Sequence, residues 1–441
     1  MYQQANYLGR LKVEKIIIVG GGLSGSLAAI YLSRLGHEVH VIEKRADPLQ
    51  NISDYIDKES SRAIGVSMTI RGINAVLGAE IPYSELLACG LPIYNMSFFI
   101  KGKFKARKLQ PINNLSPLSL NRSAFQKLLN TYAEINNVRY HYNQRCIDIN
   151  IDHGVITTKS NNDTFQTHKA DVIIGADGAR SKVREVMQNT IRRFEFHQTF
   201  FKHGYKTLVI PDATEFNLKR DTLYFFGMDS KGLFAGRAAT IPDGSASIAL
   251  CLPYKGKLSL QMNDKAIISQ FFCRYLPKLS NQLKKDLISQ FIDKPSNDLI
   301  NVTSNTFHYK NKALLIGDSA HATAPFLGQG MNMALEDVQV LANLLQQHHN
   351  DFESTLAKFS LVRKKEADAM QHMAIVNYEV LSKSNPLFFM RVKYNRLMHN
   401  KLPTIYPPDL ADKLYFSSMA YSKLRTLQQK QNVWYKLGRV S

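Results

Sequence analysis

Three glycine-punctuated stretches carry residues whose types and spacing suit nucleotide chemistry. The first is Val19-Gly20-Gly21-Gly22-Leu23-Ser24-Gly25. It follows the apolar run Lys15-Ile16-Ile17-Ile18 and opens an amphipathic stretch reaching Leu35; a second apolar run, His37 to Ile42, ends in Glu43. Strand, tight turn, helix, strand and acid in that order make a dinucleotide site. Gly20 permits the turn, Gly22 lets backbone approach a pyrophosphate, and Gly25 lets helix and strand pack closely. The phosphates would meet unpaired N–H groups at the positive end of the helix. Glu43 can accept hydrogen bonds from both hydroxyls of a ribose, which suits an adenosine without a 2′-phosphate. Read alone, the run Ile16 to Leu32 resembles a signal anchor, but its glycines and the following Glu43 argue against that.

The second stretch begins with Lys312-Ala313-Leu314-Leu315-Ile316-Gly317-Asp318, a buried strand delivering a carboxylate that can bind a ribityl hydroxyl. Pro325-Phe326-Leu327-Gly328-Gln329-Gly330-Met331-Asn332 follows and opens a helix running to Leu345. N–H groups at that helix start would face the N1/C2=O edge of an isoalloxazine ring, where negative charge gathers on reduction. A molecule long enough to touch both stretches is FAD, held without a covalent link because no His or Cys lies inside the nucleotide loop. The third stretch, Asp171 to Arg184, is a strand ending in Asp177-Gly178 before a basic helix start. Asp177 and Arg184 could position the pyrophosphate and a passing nicotinamide, although Asp-Gly alone is an ordinary turn.

In this order and spacing the three stretches resemble the class A flavoprotein aromatic hydroxylases, the family of para-hydroxybenzoate hydroxylase. Within it the chain is most similar to the kynurenine 3-monooxygenases. Arg62 to Gly72, His203-Gly204-Tyr205, Leu315 to Asp337, Asn377-Tyr378-Glu379, Leu414-Tyr415 and Tyr421-Ser422 carry that likeness, which spans about Lys15 to Trp434. The resemblance implies a cofactor set of Gly20, Gly22, Leu23, Ser24, Gly25, Glu43, Lys44, Arg45, Arg122, Asp177, Gly178, Asp318, Pro325, Gly328, Gly330, Met331 and Asn332. It implies Asn377, Tyr415 and Tyr205 at the substrate. It also implies insertion of one oxygen atom from O2 into an electron-rich ring, with NADPH as a transient reductant. No second dinucleotide motif follows a strand, which agrees with transient NADPH binding. The single Trp434 excludes the tryptophan-paired motif of flavin-dependent halogenases.

One departure bears on the substrate. In kynurenine hydroxylases an arginine just after a Gly-hydrophobic-Pro turn pairs with the amino-acid carboxylate. Here Gly90-Leu91-Pro92 is followed by Ile93-Tyr94-Asn95-Met96-Ser97, and Lys108-Leu109-Gln110-Pro111 replaces the family's Pro-Tyr pair. A bidentate arginine contact is not replaced by Asn or Met. Gly65 also stands where the family has asparagine. Arg107 and Arg237 are the candidate substitute anchors. L-kynurenine, an anthranilate- or salicylate-like acid, and a secondary-metabolite ring all stay open as substrates. So does a same-fold reductase acting on an apolar chain, or a non-catalytic FAD-fold binding protein. No general acid or base can be named.

The elements that must position these residues follow from their order. The expected fold is α/β, with a discontinuous FAD-binding domain of Rossmann type (10–80, 105–195 and 300–352). An inserted antiparallel-sheet substrate domain (81–104 and 196–299) and a C-terminal helical cap (353–441) complete it. Alternating stretches such as Thr222-Leu223-Tyr224-Phe225-Phe226 and Ser247 to Leu252 supply the sheet. At 441 residues such a chain buries roughly three-quarters of its unfolded surface. Cys89, Cys146, Cys251 and Cys273 form no CxxC pair, so a reduced, cytoplasmic chain without disulfide or metal is expected. The net charge of +20 is spread along the chain without a nucleic-acid motif. It suits steering of NADPH and anionic substrates. The basic tail from Lys413 to Arg439 could touch a membrane surface, but no apolar run of about 20 residues is present for a span. A monomer or homodimer is expected.

Overall fold

In the computed structural model the strands that lead into the three glycine stretches, Lys15–Val19, Val172–Gly175 and Ala313–Leu315, lie side by side, which brings those stretches to one edge. The structure describes residues 13–50, 65–100, 103–109, 115–216, 218–226, 235–276, 280–383, 394–395, 397–399, 401–402, 405–406 and 408–436. Arg62–Ile64 of the family likeness, Gln110-Pro111, and the end of the basic tail lie outside them.

The FAD-type domain is built on a 6-stranded sheet in the order His308–Tyr309, Ala313–Leu315, Val172–Gly175, Lys15–Val19, Glu38–Ile42, Arg139–His141. Its central strands are parallel, with Ile17 opposite both Ile173 and His40. Being covered on both faces, these strands are apolar runs rather than alternating ones: Ile16, Ile17, Ile18, Ile173 and Ile174 are fully buried. The helices Leu23–Arg34 and Gly330–Gln347 pack on each other over this sheet.

A 7-stranded sheet covers the site, in the order Asn297–Ser304, Phe196–Ile210, Ala246–Pro253, Ala235–Thr240, Thr222–Phe226, Asn95–Ile100, Lys103–Lys108. It reaches a few residues beyond the segments read from the sequence, because Lys103–Lys108 pairs with Asn95–Ile100 and Asn297–Ser304 pairs with Phe196–Ile210. One face carries Leu208, Phe226, Ala238, Ile248 and Leu250 into a core shared with helices Lys265–Tyr275 and Asn281–Asp293. With the strand period of two, the intervening residues look toward the FAD-type domain: Leu223 and Ala239 belong to that domain's core. The C-terminal region is helical as expected, with Phe352–Lys383, Leu410–Phe416 and Tyr421–Lys436. No helix among the described residues is long and apolar enough to cross a membrane.

Candidate functional site

At the nucleotide end, three glycines are needed for different reasons. Gly20 has φ +105°, and a Cβ there would lie 2.4 Å from the Ala176 carbonyl oxygen. A Cβ on Gly25 would lie 1.9 Å from the carbonyl oxygen of Gly20. Gly22, in contrast, meets nothing within 4 Å. The first two glycines let the chain close on itself, and the third leaves an open cradle at the N-terminus of helix Leu23–Arg34. Leu23 is buried and anchors that turn. Gly317 backs onto this helix, since a Cβ on it would lie 3.2 Å from Ser24 Oγ. All three stretches therefore converge: Gly20 abuts Ala176 and Asp177, and Ser24 abuts Gly317.

Glu43 stands at the end of its strand as the spacing requires. Its Oε2 accepts from the Gly21 amide at 2.7 Å, and its Oε1 accepts from Arg45 N at 2.9 Å and Nε at 2.8 Å. Burial pushes the carboxyl up, but Arg45 and the two amides outweigh it and hold Glu43 below the ordinary carboxylate range. The acid is ionised and already ordered. Lys44 beside it is exposed. Arg122 begins the helix Arg122–Ile135, whose Gln126 donates to the Gly21 carbonyl at 3.1 Å. Arg122 stands one turn before Gln126 on the same face of that helix.

At the flavin end, Asp318 is exposed at the start of a short helical turn, and its carboxylate makes no hydrogen bond among the described residues. The loop beside it is rigidly tied. Asn332 accepts from Thr69 N at 2.7 Å and donates to the carbonyls of Ser67 at 3.1 Å and Gly328 at 3.0 Å. Gly328 takes φ +64°, after the single 3₁₀ turn that Pro325 opens. Met331 packs part-buried on the core, and Gly330 is the first residue of the long helix. Beneath the loop, Asp337 accepts from Gly317 N at 2.9 Å, His321 Nε2 at 2.6 Å and Arg363 Nε at 2.6 Å. Burial would raise its pKa, but His321 and Arg363 hold it low. Arg363 and Arg71 then share Glu336, and Arg71 lies 4.0 Å over the Tyr421 ring, whose hydroxyl donates to Gln329 of the loop at 3.2 Å. No local pattern in the sequence announces this buried charge network, since its members are polar residues scattered over separate helices.

Asp177 accepts from Lys182 N at 2.6 Å through Oδ2, while its buried Oδ1 has no partner and burial raises its pKa. Gly178 follows at φ +83°. Arg184 is spent on the carbonyls of Ser319 at 2.7 Å and Ala179 at 2.5 Å, as a strut and not a free phosphate ligand. An open cradle at Gly22, an unengaged carboxylate at Asp318 and the orphaned Asp177 Oδ1 fit a ligand with a pyrophosphate and several hydroxyls, as FAD has.

The wall opposite comes from the sheet. Arg237 donates to Ser67 Oγ at 2.6 Å, and its buried Nε has no partner among the described residues. Burial lowers its pKa, while the Tyr415 hydroxyl nearby favours its charge. Tyr415 reaches the flavin loop: a Cβ on Gly328 would lie 3.5 Å from its hydroxyl. Asn377 donates to the Phe326 carbonyl at 2.8 Å, and Tyr205, Cys251, Phe326 and Tyr378 pack together. His203 Nδ1 is bonded to the Tyr378 hydroxyl at 2.9 Å. Arg107, the other candidate anchor, is not part of this wall's polar cluster; it is paired with Asp409 at 3.6 Å and with Asp412.

Comparison with known proteins agrees with this geometry. The FAD binding domain family matches residues 13–372. Violacein synthase of Chromobacterium violaceum is 57% identical over 429 residues, covering 97% of this chain and 100% of that protein. Kynurenine 3-monooxygenase of Anopheles gambiae is 31% identical over 424 residues, covering 92% of this chain and 83% of that one. Among solved structures, tetrameric 2-methyl-3-hydroxypyridine-5-carboxylic acid oxygenase superposes with a TM-score of 0.68 at 20% identity, over 85% of this chain and 94% of its own. That last likeness is one of fold.

Proposed function

Because the chain belongs to the FAD binding domain family and, within it, to the class A flavoprotein aromatic hydroxylases, we propose that it inserts one oxygen atom of O2 into an aromatic ring of a violacein precursor, with NADPH as reductant. The observation that carries the substrate is the full-length likeness to violacein synthase at 57%, against 31% for a kynurenine hydroxylase. The site supports it, because the arginine that kynurenine hydroxylases place after the Gly90-Leu91-Pro92 turn is missing and Arg107 is engaged with Asp409 and Asp412. Kynurenine is the rival substrate, favoured by the matching Asn377 and Tyr415.

Bound FAD supplies the redox chemistry, carrying electrons from NADPH to O2. The chain binds and orients. Gly20, whose own N–H is spent on the Ile42 carbonyl, shapes the turn, and Gly22, Leu23, Ser24 and Gly25 would offer N–H groups at the helix start to the pyrophosphate. Glu43 takes the adenosine ribose, with Lys44, Arg45 and Arg122 around it, and Asp318 takes the ribityl chain, with Asp177 and Gly178 alongside. Pro325, Gly328, Gly330, Met331 and Asn332 form the loop that would hold the flavin ring, with N–H groups at the helix start suited to stabilising negative charge there. The 7-stranded sheet, antiparallel as expected except where Thr222–Phe226 runs parallel to Asn95–Ile100, would close over the aromatic substrate through Tyr205 and Arg237, with the C-terminal helices doing so through Asn377 and Tyr415, and keep water out.

The test is turnover of FAD-loaded protein with NADPH and labelled O2, offered a violacein precursor or L-kynurenine. The precursor should stimulate NADPH oxidation and gain one labelled oxygen, and kynurenine should do neither. A hydroxylated kynurenine product would overturn the substrate assignment. Failure of both compounds to gain oxygen would overturn the reaction.

A further inference from the structure

Register in the covering sheet puts Arg237 and His203 on one face, well apart. Arg237 lies opposite Ala249, which lies opposite Thr207, and His203 lies opposite Pro253. Gly204, between His203 and Tyr205, points the other way, since a Cβ on it would meet Tyr254 and Leu260 of the opposite core. His203, Tyr205, Thr207 and Arg237 thus all face the flavin loop. Four residues along a strand and two strands across amount to roughly 13 Å by 10 Å, so the two Cα atoms are roughly 16 Å apart. Between them run Tyr205 and Cys251, with Phe225 stacked on Phe98 at 5.2 Å beside Arg237.

The two ends differ in chemistry. At one, a buried guanidinium makes a single hydrogen bond, to Ser67, and no acidic side chain pairs with it among the described residues. A buried charge is costly unless paired, so this end is built for an anion that arrives with the ligand. At the other end, His203 and Tyr378 form a neutral donor–acceptor pair inside an aromatic cluster, with Phe201 and Phe326 each edge-on to the Tyr378 ring or tilted against it at 4.9 Å. The loop Phe326–Gly328 spans the gap, touching Tyr378 at its start and Tyr415 at its end. We propose that Arg237 and the His203–Tyr378 pair bracket one elongated substrate site, which takes an aromatic acid of at least two ring units with its anionic group on Arg237 and a hydroxyl or N–H group on His203–Tyr378. The proposal rests on the hydroxylase reading for the identity of the site, but its test needs no turnover.

Calorimetric binding to the oxidised, FAD-loaded protein would use four probes: 4′-hydroxybiphenyl-4-carboxylate, its carboxamide, biphenyl-4-carboxylate and benzoate. The acid should bind about ten-fold or more tightly than the carboxamide, the difference one charge-assisted contact gives. It should also bind more tightly than benzoate or the probe lacking the hydroxyl. Arg237→Met should erase the acid-over-amide preference, and Tyr378→Phe should erase the preference for the hydroxyl while keeping the acid-over-amide preference. Equal binding of acid and carboxamide by the unaltered protein would overturn the anionic end without recourse to any variant. Benzoate binding as well as the biphenyl acid would overturn the elongated site. Either result would leave hydroxylation of a violacein precursor standing, and failure of that turnover would leave the binding pattern to stand or fall by itself.

Discussion

Asp318 and Gly22 are informative because neither is needed by the protein itself. Asp318 is exposed and its carboxylate makes no hydrogen bond among the described residues, and the space a Gly22 Cβ would enter is open. Neighbouring residues of the same motifs do have structural work: Gly25 lets the first helix approach, and Asp337 collects Gly317, His321 and Arg363. Residues with no internal partner are the ones left available to a ligand. Asp318→Ala should therefore leave the fold and its melting temperature nearly unchanged, while removing contacts worth about 1.5–3 kcal/mol each. FAD affinity should fall about ten-fold or more, measured by titrating apo-protein with FAD and following flavin fluorescence. Retention of FAD at the parent affinity by the folded variant would remove Asp318 from the site.

At the scale of elements, the outer edge of the parallel sheet holds a cluster that makes its stability depend on pH. His40 joins His141 at 3.0 Å and Glu38 at 2.8 Å, and His141 lies edge-on to His168 with ring centres 4.8 Å apart. Lys15 and Arg139 also face this group. Burial first, then His168, His40, Lys15 and Arg139, push His141 down to about 4; burial, then His40 and Lys15, lower His168 as well. An unfolded chain protonates these rings near the ordinary value of about 6.5. Below that pH the unfolded state binds protons that the folded state refuses, so stability is fully present at neutral pH and is lost as pH falls from about 6.5 towards 4. Thermal melting should drop steeply over that interval, and His141→Gln should flatten the fall; an unchanged slope would dismiss the cluster as its source. The same elements show what a sequence discloses. Apolar runs such as Ile16-Ile17-Ile18 and Val172-Ile173-Ile174 are local signals, as are glycines forced by close packing, so the nucleotide half of the site was legible. The His40–His141–His168 cluster joins three strands, and the Arg71–Glu336–Arg363–Asp337 network joins three helices. Neither has a local pattern. Arg107 and Arg237 looked equivalent as anchors until pairing with Asp409 and Asp412 distinguished them, a contact between residues far apart in the chain.

For the whole molecule, the net charge of +20, from 56 Lys and Arg against 36 Asp and Glu, acts on partners rather than on the fold. Only one dinucleotide turn is present, and its ribose acid, Glu43, is ionised and held by Arg45 and Gly21, an arrangement hostile to a 2′-phosphate. NADPH, if it is the reductant, must therefore be met elsewhere and briefly, with the basic surface raising its local concentration. Such long-range attraction is screened once the Debye length falls, from about 10 Å at 0.1 M ionic strength to about 3 Å at 1 M. The steady-state KM for NADPH should then rise with salt, while kcat under saturating NADPH and aromatic substrate changes little, because saturation removes the dependence on long-range encounter. Oxidation of NADPH should also be slow until an aromatic ligand occupies the site, since the sequence carries no second dinucleotide motif to hold a nicotinamide cofactor in a domain of its own. Stopped-flow reduction of the bound flavin, with and without substrate and across a salt series, reads both effects. A reduction rate indifferent to substrate and a KM indifferent to salt would mean that NADPH has a resident site of its own, and the transient encounter would have to be abandoned.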